Sequence, residues 1–388
     1  MKKGIGFILT LSLIASSAAF GFADSGAVME FTGDEMKMSL EDVQTMMLTS
    51  STAIEMAKYK EKVNKGKTKQ YYEKAGNLER SRNASNVTEA GDTIWTASSP
   101  SRTQIEMADV ASTFASEQTP RNYEAEVNQI IRDTQNRYYG LVQVKELLRI
   151  SQENTAIYEK LYQNTQSKFN LGVVSKQDVL KAEIGLNQAK VDAQSAENTY
   201  KLNQMGFNIL LGLDLMQKVT LTDTLTEATI SEVPLDEAIT KALENRNEIA
   251  EAAYKLKSAE LELRQAANTV IKSSSTYQSV AAALMMAEYT NKNQPKEIEK
   301  DVRDKYMTMM QKKAAVEQGK LNVANAKETY RLANLQYDAG MYTLTDTQQT
   351  QIAAYQTELS YYATLLEYNL AIIDYEQSYT VGTKSADF

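Results

Sequence analysis

The chain has 388 residues, no cysteine, no histidine and a formal net charge of −8 at neutral pH. Without cysteine it has no disulfides, thiolate metal sites or lipid-modified cysteine. Without histidine it lacks the commonest general base and metal ligand. We therefore expect that it is not an enzyme and needs no metal or cofactor. Only four prolines and sixteen glycines, with abundant Ala, Glu, Lys, Gln and Leu, favour long helices.

An export signal is predicted at residues 1–23. Lys2 and Lys3 form its charged start, Ile5 to Ala19 form a short apolar core, and Gly21-Phe22-Ala23 is a small-x-small cleavage site. An uncleaved membrane anchor is the alternative, although the apolar run is short for a membrane span. Loss of the two lysines changes the net charge from −8 to −8 − 2 = −10. An acidic exported chain is a poor candidate for binding nucleic acid.

The first part of the mature chain is predicted to be a flexible leader, residues 24–38, followed by a helix. The helix begins at Ser39, with Glu41 and Asp42 in the first turn, where the helix dipole favours acidic side chains. It continues through the lysine-rich run Lys58–Lys74, which is either a contact for anionic partners or a solvated helix face. Residues 76–120 are rich in Ser, Thr, Asn, Gly and Pro, and are predicted to be a variable loop, within which Thr103 to Phe114 could form a short helix.

Two long helices joined by a tight turn are predicted between residues 122 and 211. Gly172 can adopt the left-handed conformation that ends a helix. Ser175 can cap the next helix, and Asp178 can complete a variant of the capping box. Apolar and small residues in the second helix alternate spacings of three and four over more than four heptads, which is typical of a coiled coil: Val179, Ala182, Leu186, Ala189, Ala193, Ala196, Tyr200, Asn203, Phe207 and Leu210.

The same turn recurs at Gly340, Thr343 and Asp346, which indicates an internal repeat. The two turn regions match at an offset of 168, and the starts of the two repeats match at an offset of 195: Leu40, Leu48, Ile54 and Tyr59 fall on Leu235, Leu243, Ile249 and Tyr254. The predicted domains are a first repeat over 39–217, a linker over 218–234 that has room for one short strand, a second repeat over 235–380 and a tail over 381–388.

These features resemble the TolC-type outer-membrane efflux proteins. The resemblance rests on the tandem repeat, on G-x-x-[ST]-x-x-D at each turn, and on Phe207, Leu211 and Gly212 at the end of the first returning helix. It covers Ser39 to Tyr379 and implies an all-α tandem repeat of long antiparallel coiled-coil hairpins, assembling as a trimeric helical duct. At the end away from the turns the sequence departs from that family, because 82–120 is too polar for two membrane strands. Little or no β-barrel is predicted.

The resemblance also implies a function: a conduit component of an efflux or secretion system, exported to the cell envelope. Cargo would pass through the duct, and its turns would dock a periplasmic adaptor and an inner-membrane pump. The tip residues are Gly172, Ser175, Asp178, Gly340, Thr343 and Asp346. Asp178 and Asp346 are candidates for charges at the pore mouth, and simple helix capping is the alternative, favoured reading for both. Asp338, without a capping role in the pattern, is the candidate for a charged pore constriction.

Two other interpretations stay open on the sequence. A non-transporting, structural coiled-coil protein of the cell envelope would keep the repeat without the duct. A helical pore-forming toxin would use the apolar piece Val280–Ala287 as its membrane-inserting segment. The sequence also leaves open whether the chain associates with a membrane, and whether its location is an outer membrane and periplasm or a cell surface.

Overall fold

The computed structural model describes residues 30–84, 100–230 and 233–388, so the predicted signal peptide lies outside the described residues. The described chain forms eight helices and two short strands. In order they are β1 (Thr32–Met38), α1 (Leu40–Ser50), α2 (Thr52–Ala84), α3 (Arg102–Asn170), α4 (Lys176–Leu211), β2 (Gln217–Leu221), α5 (Leu235–Asn245), α6 (Asn247–Thr269), α7 (Ser275–Asp338) and α8 (Leu344–Ser378). None of these helices contains a stretch long and apolar enough to cross a bilayer.

The same order of helices occurs twice along the chain. The short helices α1 and α5 each have 11 residues, and the breaks that follow them, at Ser51 and Arg246, are separated by 195 positions. Each is followed by a second helix and then by a long hairpin, α3 with α4 and α7 with α8. At 69 residues, α3 extends for about 100 Å. The molecule is therefore long, with both hairpin turns at one end.

One predicted irregular segment contributes a strand, and the linker contains the short strand for which it had room. Residues 24–38 were expected to be a flexible leader, but 32–38 form β1, which pairs in parallel with β2 at the start of the predicted linker. Met36 lies opposite Val219 and Met38 opposite Leu221. Met38, Val219 and Leu221 are all buried in the main core, so the strand pair is stabilised by burying one face.

The predicted loop over 76–120 is wrong for most of its described residues, because α2 extends to Ala84 and α3 begins at Arg102. The helix allowed at Thr103 to Phe114 is present, as the start of the much longer α3. Ser101 and Gln104 form a capping box that starts α3. Composition failed here because tertiary contacts stabilise the helix: Phe114 stacks on Tyr254 of α6 with 4.1 Å between ring centroids. A high content of Ser, Thr and Pro predicts a loop only weakly, and packing of this kind overrides it.

The residues of the predicted coiled-coil seam of α4 are buried or half-buried, except near the C-terminal end of the helix. Asn203 is exposed and the adjacent Gln204 is buried. Gln204 donates to the Val219 carbonyl at 2.9 Å, and Asn208 donates to the Gln217 carbonyl at 2.8 Å. The seam shifts by one residue because β2 returns beneath this part of the helix, and buried amide side chains satisfy its carbonyls.

The apolar core lies mainly at mid-length, where β1, β2, α1 and α5 pack on the long helices. A smaller cluster lies toward the turns and includes Tyr158, Leu186 and Tyr337. Away from the turns, the helices form a layer in which α2 packs on α3, α3 on α6 and α6 on α7. Successive helices in this layer are antiparallel.

Tyr138 anchors the strand pair to α3. Its fully buried hydroxyl donates to Asp223 at 2.7 Å, and the same carboxylate oxygen accepts the Leu40 backbone N–H at 2.9 Å. Asp223, two residues after β2, thus joins the end of the strand pair to the first turn of α1 and the middle of α3. Burial and the neighbouring Asp223 raise the pKa of Tyr138 far above its ordinary value.

Arg246 holds the second repeat together at the break between α5 and α6. Its side chain is 8 % exposed and makes two bonds to Glu248, at 2.7 and 3.0 Å. It also donates to Asp301 on α7 at 3.0 Å and to the Ser378 carbonyl at the end of α8 at 3.1 Å. One guanidinium therefore joins four segments, in the forked geometry that suits arginine.

Replacement of Tyr138 by Phe should lower the free energy of unfolding by about 1 kcal/mol, because the half-buried Asp223 carboxylate loses one of its two donors. The measurement is chemical denaturation followed by circular dichroism. Tyr139→Phe is the matched control, since its hydroxyl makes no hydrogen bond in the described structure. Equal effects of the two substitutions would show that the Asp223 contact contributes nothing.

Stability should fall with acidification through the Arg246 cluster. Burial is the largest influence on Glu248 and Asp301 and raises the pKa of each, but Arg246, with Lys305 at Asp301, outweighs it and holds both pKa values below the ordinary 4.5 and 3.8. Since the folded pKa values are depressed, this stabilisation is present above the unfolded pKa values and is lost as pH falls through the folded ones.

Replacement of Arg246 by Met should lower the free energy of unfolding at neutral pH by about 3 kcal/mol, because it leaves the largely buried Glu248 carboxylate without its partner, whereas Asp301 keeps Lys305. It should also flatten the loss of stability below pH 4.5. Acid and denaturant unfolding curves test both points. Arg331→Met, which removes an exposed pair with Glu328, should leave both curves unchanged. An unaltered acid profile in the Arg246 variant would contradict the assignment.

Candidate functional site: the two helix-turn tips

The first tip joins α3 to α4 through Gly172. This residue has φ +74°, the left-handed conformation that glycine adopts without strain. Its N–H bonds to the Phe169 carbonyl at 2.9 Å, and the Val173 N–H bonds to the Lys168 carbonyl at 2.9 Å. These two bonds form a Schellman motif, which satisfies carbonyls that the end of the helix leaves without partners.

The second tip joins α7 to α8 and repeats this geometry. Gly340 also has φ +74°. Its N–H bonds to the Tyr337 carbonyl at 3.1 Å, and the Met341 N–H bonds to the Gln336 carbonyl at 2.8 Å. The two bends therefore have the same backbone conformation and the same set of terminal hydrogen bonds.

A full capping box begins the helix after each tip. In the first, the Asp178 N–H donates to the Ser175 hydroxyl at 3.2 Å, and the Asp178 carboxylate accepts the Ser175 N–H at 3.1 Å. In the second, the Asp346 N–H donates to Thr343 at 3.2 Å, and its carboxylate accepts the Thr343 N–H at 3.4 Å. The six tip residues predicted from sequence thus lie in two matched, rigid turns.

Asp338 lies at the end of α7, where it connects the two hairpins. Its carboxylate accepts bonds from Lys168 at 3.1 Å and from Asn164 at 2.8 Å, both on α3. Lys168 also donates to the Tyr337 carbonyl at 3.0 Å, and its ammonium group lies 3.8 Å from the centroid of the Tyr337 ring. A single lysine therefore contacts a charge, a carbonyl and an aromatic face of the opposite hairpin.

A buried hydrogen bond lies directly beneath this ion pair. The hydroxyls of Thr165 and Tyr337 are 3.0 Å apart, and both residues are buried. Burial is the main cause of the raised pKa of Tyr337, and Asp178 and Asp338 add to it. The phenol stays neutral at physiological pH and can both donate and accept here.

The N-terminal parts of α4 and α8 make weaker contacts with each other. The Lys181 ammonium donates to the Thr345 hydroxyl at 3.4 Å, and the Gln348 amide donates to the Lys181 carbonyl at 3.3 Å. These are long bonds between exposed groups, so the α3–α7 contacts dominate the attachment of one tip to the other. We name Lys168, Asn164 and Asp338, with Thr165 and Tyr337, the tip clamp.

Apolar side chains project from both turns into solvent. Leu171 and Val173 flank the first glycine and are 79 % and 68 % exposed, and Met341 after the second glycine is 73 % exposed. Rigid turns that present apolar side chains are suited to protein contacts. Within the described residues, no group of three or more acidic side chains is arranged to hold a metal ion.

Four members of the tip clamp were not among the predicted site residues. Tyr337 occupies the position in the second repeat that Phe169 has in the first. Its hydroxyl, which Phe169 lacks, was the one feature of the sequence that indicated a polar partner such as Thr165. Lys168 and Asn164 precede the predicted motif and look like ordinary polar residues of a solvated helix face. Their role depends on partners about 170 residues away, which local pattern cannot indicate.

No model of a protein family matches the sequence, and neither does any curated protein sequence. Solved structures do match the fold over most of the chain. The Campylobacter jejuni CmeC outer membrane channel is 13 % identical, with a TM-score of 0.64 over 90 % of this chain and 87 % of CmeC. The Vibrio cholerae outer membrane protein VceC is 13 % identical, with a TM-score of 0.65 over 89 % of this chain and 97 % of VceC.

A third match is the open state of the Neisseria gonorrhoeae MtrE outer membrane channel, 15 % identical, with a TM-score of 0.61 over 89 % of this chain and 90 % of MtrE. At this level of identity the likeness establishes the fold. It confirms the all-α arrangement of long paired helices that the sequence resemblance implied. The chain has the fold of the TolC-type outer-membrane channels.

Proposed function

We propose that this protein is a divergent TolC-type conduit, exported to the cell envelope, in which three copies form a helical duct. The observation that carries the proposal is the pair of matched rigid tips at one end of a chain with the fold of outer membrane channels. A tandem repeat with two equivalent ends supplies six such tips in a trimer. In this proposal cargo passes through the duct, and no covalent chemistry is needed.

The apolar residues of the tips are the proposed docking surface for an adaptor and its pump. Gly172, Ser175 and Asp178 hold Leu171 and Val173 in fixed positions, and their counterparts in the second repeat do the same for Met341. Fixed side chains lose little conformational entropy when a partner binds. In this proposal the tip aspartates act as caps, and the docking contacts come from the apolar neighbours.

Control of passage is proposed to reside in the tip clamp. In the clamped arrangement Lys168 and Asn164 hold Asp338 in place as the proposed charged constriction at the pore mouth, so the contacts that hold Asp338 also hold the mouth closed. Lys168 is mostly buried at 16 % exposure, which strengthens its pairing relative to a surface ion pair. Separation of the α3–α4 and α7–α8 hairpins breaks these bonds together.

The purified mature chain should sediment as a trimer and should give discrete conductance steps in planar bilayers. Sedimentation velocity over a range of concentrations tests the first point and single-channel recording the second. A monomer at every accessible concentration would contradict the duct. A stable trimer without conductance would favour a non-transporting structural protein of the envelope.

Combined replacement of Lys168 by Met and Thr165 by Val should increase the open fraction in such recordings at least about tenfold. Each lost contact is worth about 1 kcal/mol, and about 1.4 kcal/mol corresponds to a factor of ten. The matched control is Lys176→Met, which removes the same charge from the same tip but leaves α7 untouched. Unchanged gating in the double variant would exclude the tip clamp as the control point.

A further inference from the structure

The described chain leaves one long side of α4 and α2 open. Both helices pack on α3, one after the other along its length. Their sides that point away from α3, opposite the buried Ala57, Ala182 and Ala189, expose apolar residues that share one face at 3.6 residues per turn. We name this the α4–α2 edge, and its main members are Leu180, Ile184, Val191 and Leu202 on α4 and Met56 and Tyr59 on α2.

A second open side runs along α7. Val302, Met309 and Val316 are buried on one side of this helix, and the opposite side exposes large apolar residues over most of its length. An exposed apolar line of this extent marks a surface that contacts another protein. We name it the α7 edge, and its main members, between 40 % and 67 % exposed, are Met286, Tyr289, Met307, Met310, Leu332 and Leu335.

Toward the tips, the apolar residues of the two edges lie at the same heights along the long axis. Thr155 of α3 donates to the Ala189 carbonyl of the antiparallel α4 at 3.0 Å, and Thr165 of α3 lies 3.0 Å from Tyr337 of the parallel α7. Counted from these contacts, residue n of α4 is level with residue 516 − n of α7. Two apolar pairs are therefore level to within one residue: Leu180 with Leu335, and Ile184 with Leu332.

Away from the tips, the two edges match in the same way. Thr68 of α2 lies 3.1 Å from Thr119 of α3, and Gln118 donates to Asn247 of α6 at 2.7 Å. The short turn 270–274 makes the end of α6 level with the start of α7. Counted along these antiparallel helices, residue n of α2 is level with residue 366 − n of α7. Tyr59 is then level with Met307, and Met56 with Met310.

The heights also agree with the heptad pattern of a coiled coil. With Met56 at position a of α2 and Met307 at position a of α7, each a residue is level with a d residue of the other helix, as an antiparallel seam requires. Gly66 is level with Lys300, and a Cβ atom added to Gly66 would meet nothing within 4 Å. The glycine leaves room for the long lysine side chain, whose stem is apolar. Two further cations, Arg303 and Lys296, are level with Val63 and Gln70.

Charged residues beside this seam have opposite signs on the two edges. Lys60 and Lys67 occupy e positions of α2, and Asp304 and Glu297 occupy e positions of α7. In an antiparallel pair e faces e, and each lysine is within two residues of the height of one carboxylate. Lys67 and Asp304 form no ion pair within the described chain. The run 58–74 carries a net charge of 7 − 2 = +5 in a chain of −8, and this contact would give it an acidic partner.

We propose that the α7 edge of one copy packs on the α4–α2 edge of the next, in the register given by these heights. The inference rests on the proposed duct and names the residues by which its copies meet. Two different surfaces meet in such a contact, so a rotation that returns to the start closes a ring. Rotation about an axis parallel to the helices leaves every height unchanged, which is why heights within one copy predict contacts between copies.

Disulfide crosslinking of the full mature chain tests the register, because the chain has no cysteine of its own. The two test variants are Tyr59→Cys with Met307→Cys, and Ile184→Cys with Leu332→Cys. In each, the two cysteines lie on opposite edges of one copy, so a disulfide joins two copies, and it forms only where the Cα atoms come within about 7 Å. Electrophoresis without reductant should show covalent dimers and trimers. The control is Val191→Cys with Met286→Cys, on the same two edges but about 60 Å apart in height, and it should give at least about tenfold less.

The outcomes separate this contact from the duct itself. A trimer in sedimentation velocity that gives no crosslink from either test variant would overturn the proposed contact and leave the duct standing. A monomer at every concentration would contradict the duct as well. Equal crosslinking of the control variant, or covalent dimers from Tyr59→Cys or Met307→Cys alone, would show random collision or an edge that meets itself, and either result would overturn the proposal.

A charge exchange tests the register by a second route. Lys67→Glu places two carboxylates at one height and should shift the ratio of trimer to monomer about tenfold toward monomer, measured by sedimentation in urea that half dissociates the unaltered trimer. Addition of Glu297→Lys should restore the ratio to within about threefold. Lys58→Glu, the same charge change at a c position of α2, should alter it less than about twofold. If Glu297→Lys fails to restore assembly, the pairing of α2 with α7 is wrong.

Discussion

Burial of a continuous seam along very long helices is the constraint on which the rest of the structure depends. An isolated helix gains little stability in water, and the 69-residue α3 is polar over most of its surface. It is stable because successive partners cover it: α2 and α6 at one end, α1 and the strand pair at mid-length, and α4 and α8 toward the turns. Small residues such as Ala182 and Ala189 let the paired backbones lie close together.

This constraint explains why polar anchors occur where the packing changes. Tyr138 and Asp223 lie where the short strands meet α3, and Arg246 lies where α5 ends and α6 begins. At both points the chain changes direction and leaves backbone groups that need partners. Buried, fully bonded polar groups at such positions select one arrangement among several with similar apolar contact.

The two ends of the molecule differ in how they are held. At the tips, Lys168 and Tyr337 make the main polar contacts between the two hairpins, and α4 and α8 add weaker ones, so a small number of bonds holds the hairpins together at this end. At the far end, α2 is held along one side by α3 and leaves its other side open. The tips are thus suited to a change of state.

Local patterns in the sequence determined the turns and most of the seams. Glycine, hydroxyl and aspartate at fixed spacing specify a helix end and the next helix start through bonds that span only a few residues. The heptad of α4 likewise predicted burial of Val179, Leu186 and Phe207, because helical periodicity alone decides which residues share a face. The resemblance drawn from these patterns implied the fold that the solved channels share.

Only the tertiary structure decided the rest, since the interactions concerned join distant residues. Pairing of β1 with β2 connects Met38 to Leu221, and it ordered a segment that looked like a leader. Contacts with α2 and α6 made residues 102–120 part of one continuous long helix, where the composition allowed only a short one. Asp338 gained its partner from α3, 170 residues earlier. Local composition does not indicate contacts between residues that are so far apart in the sequence, because only the folded chain brings the two groups together.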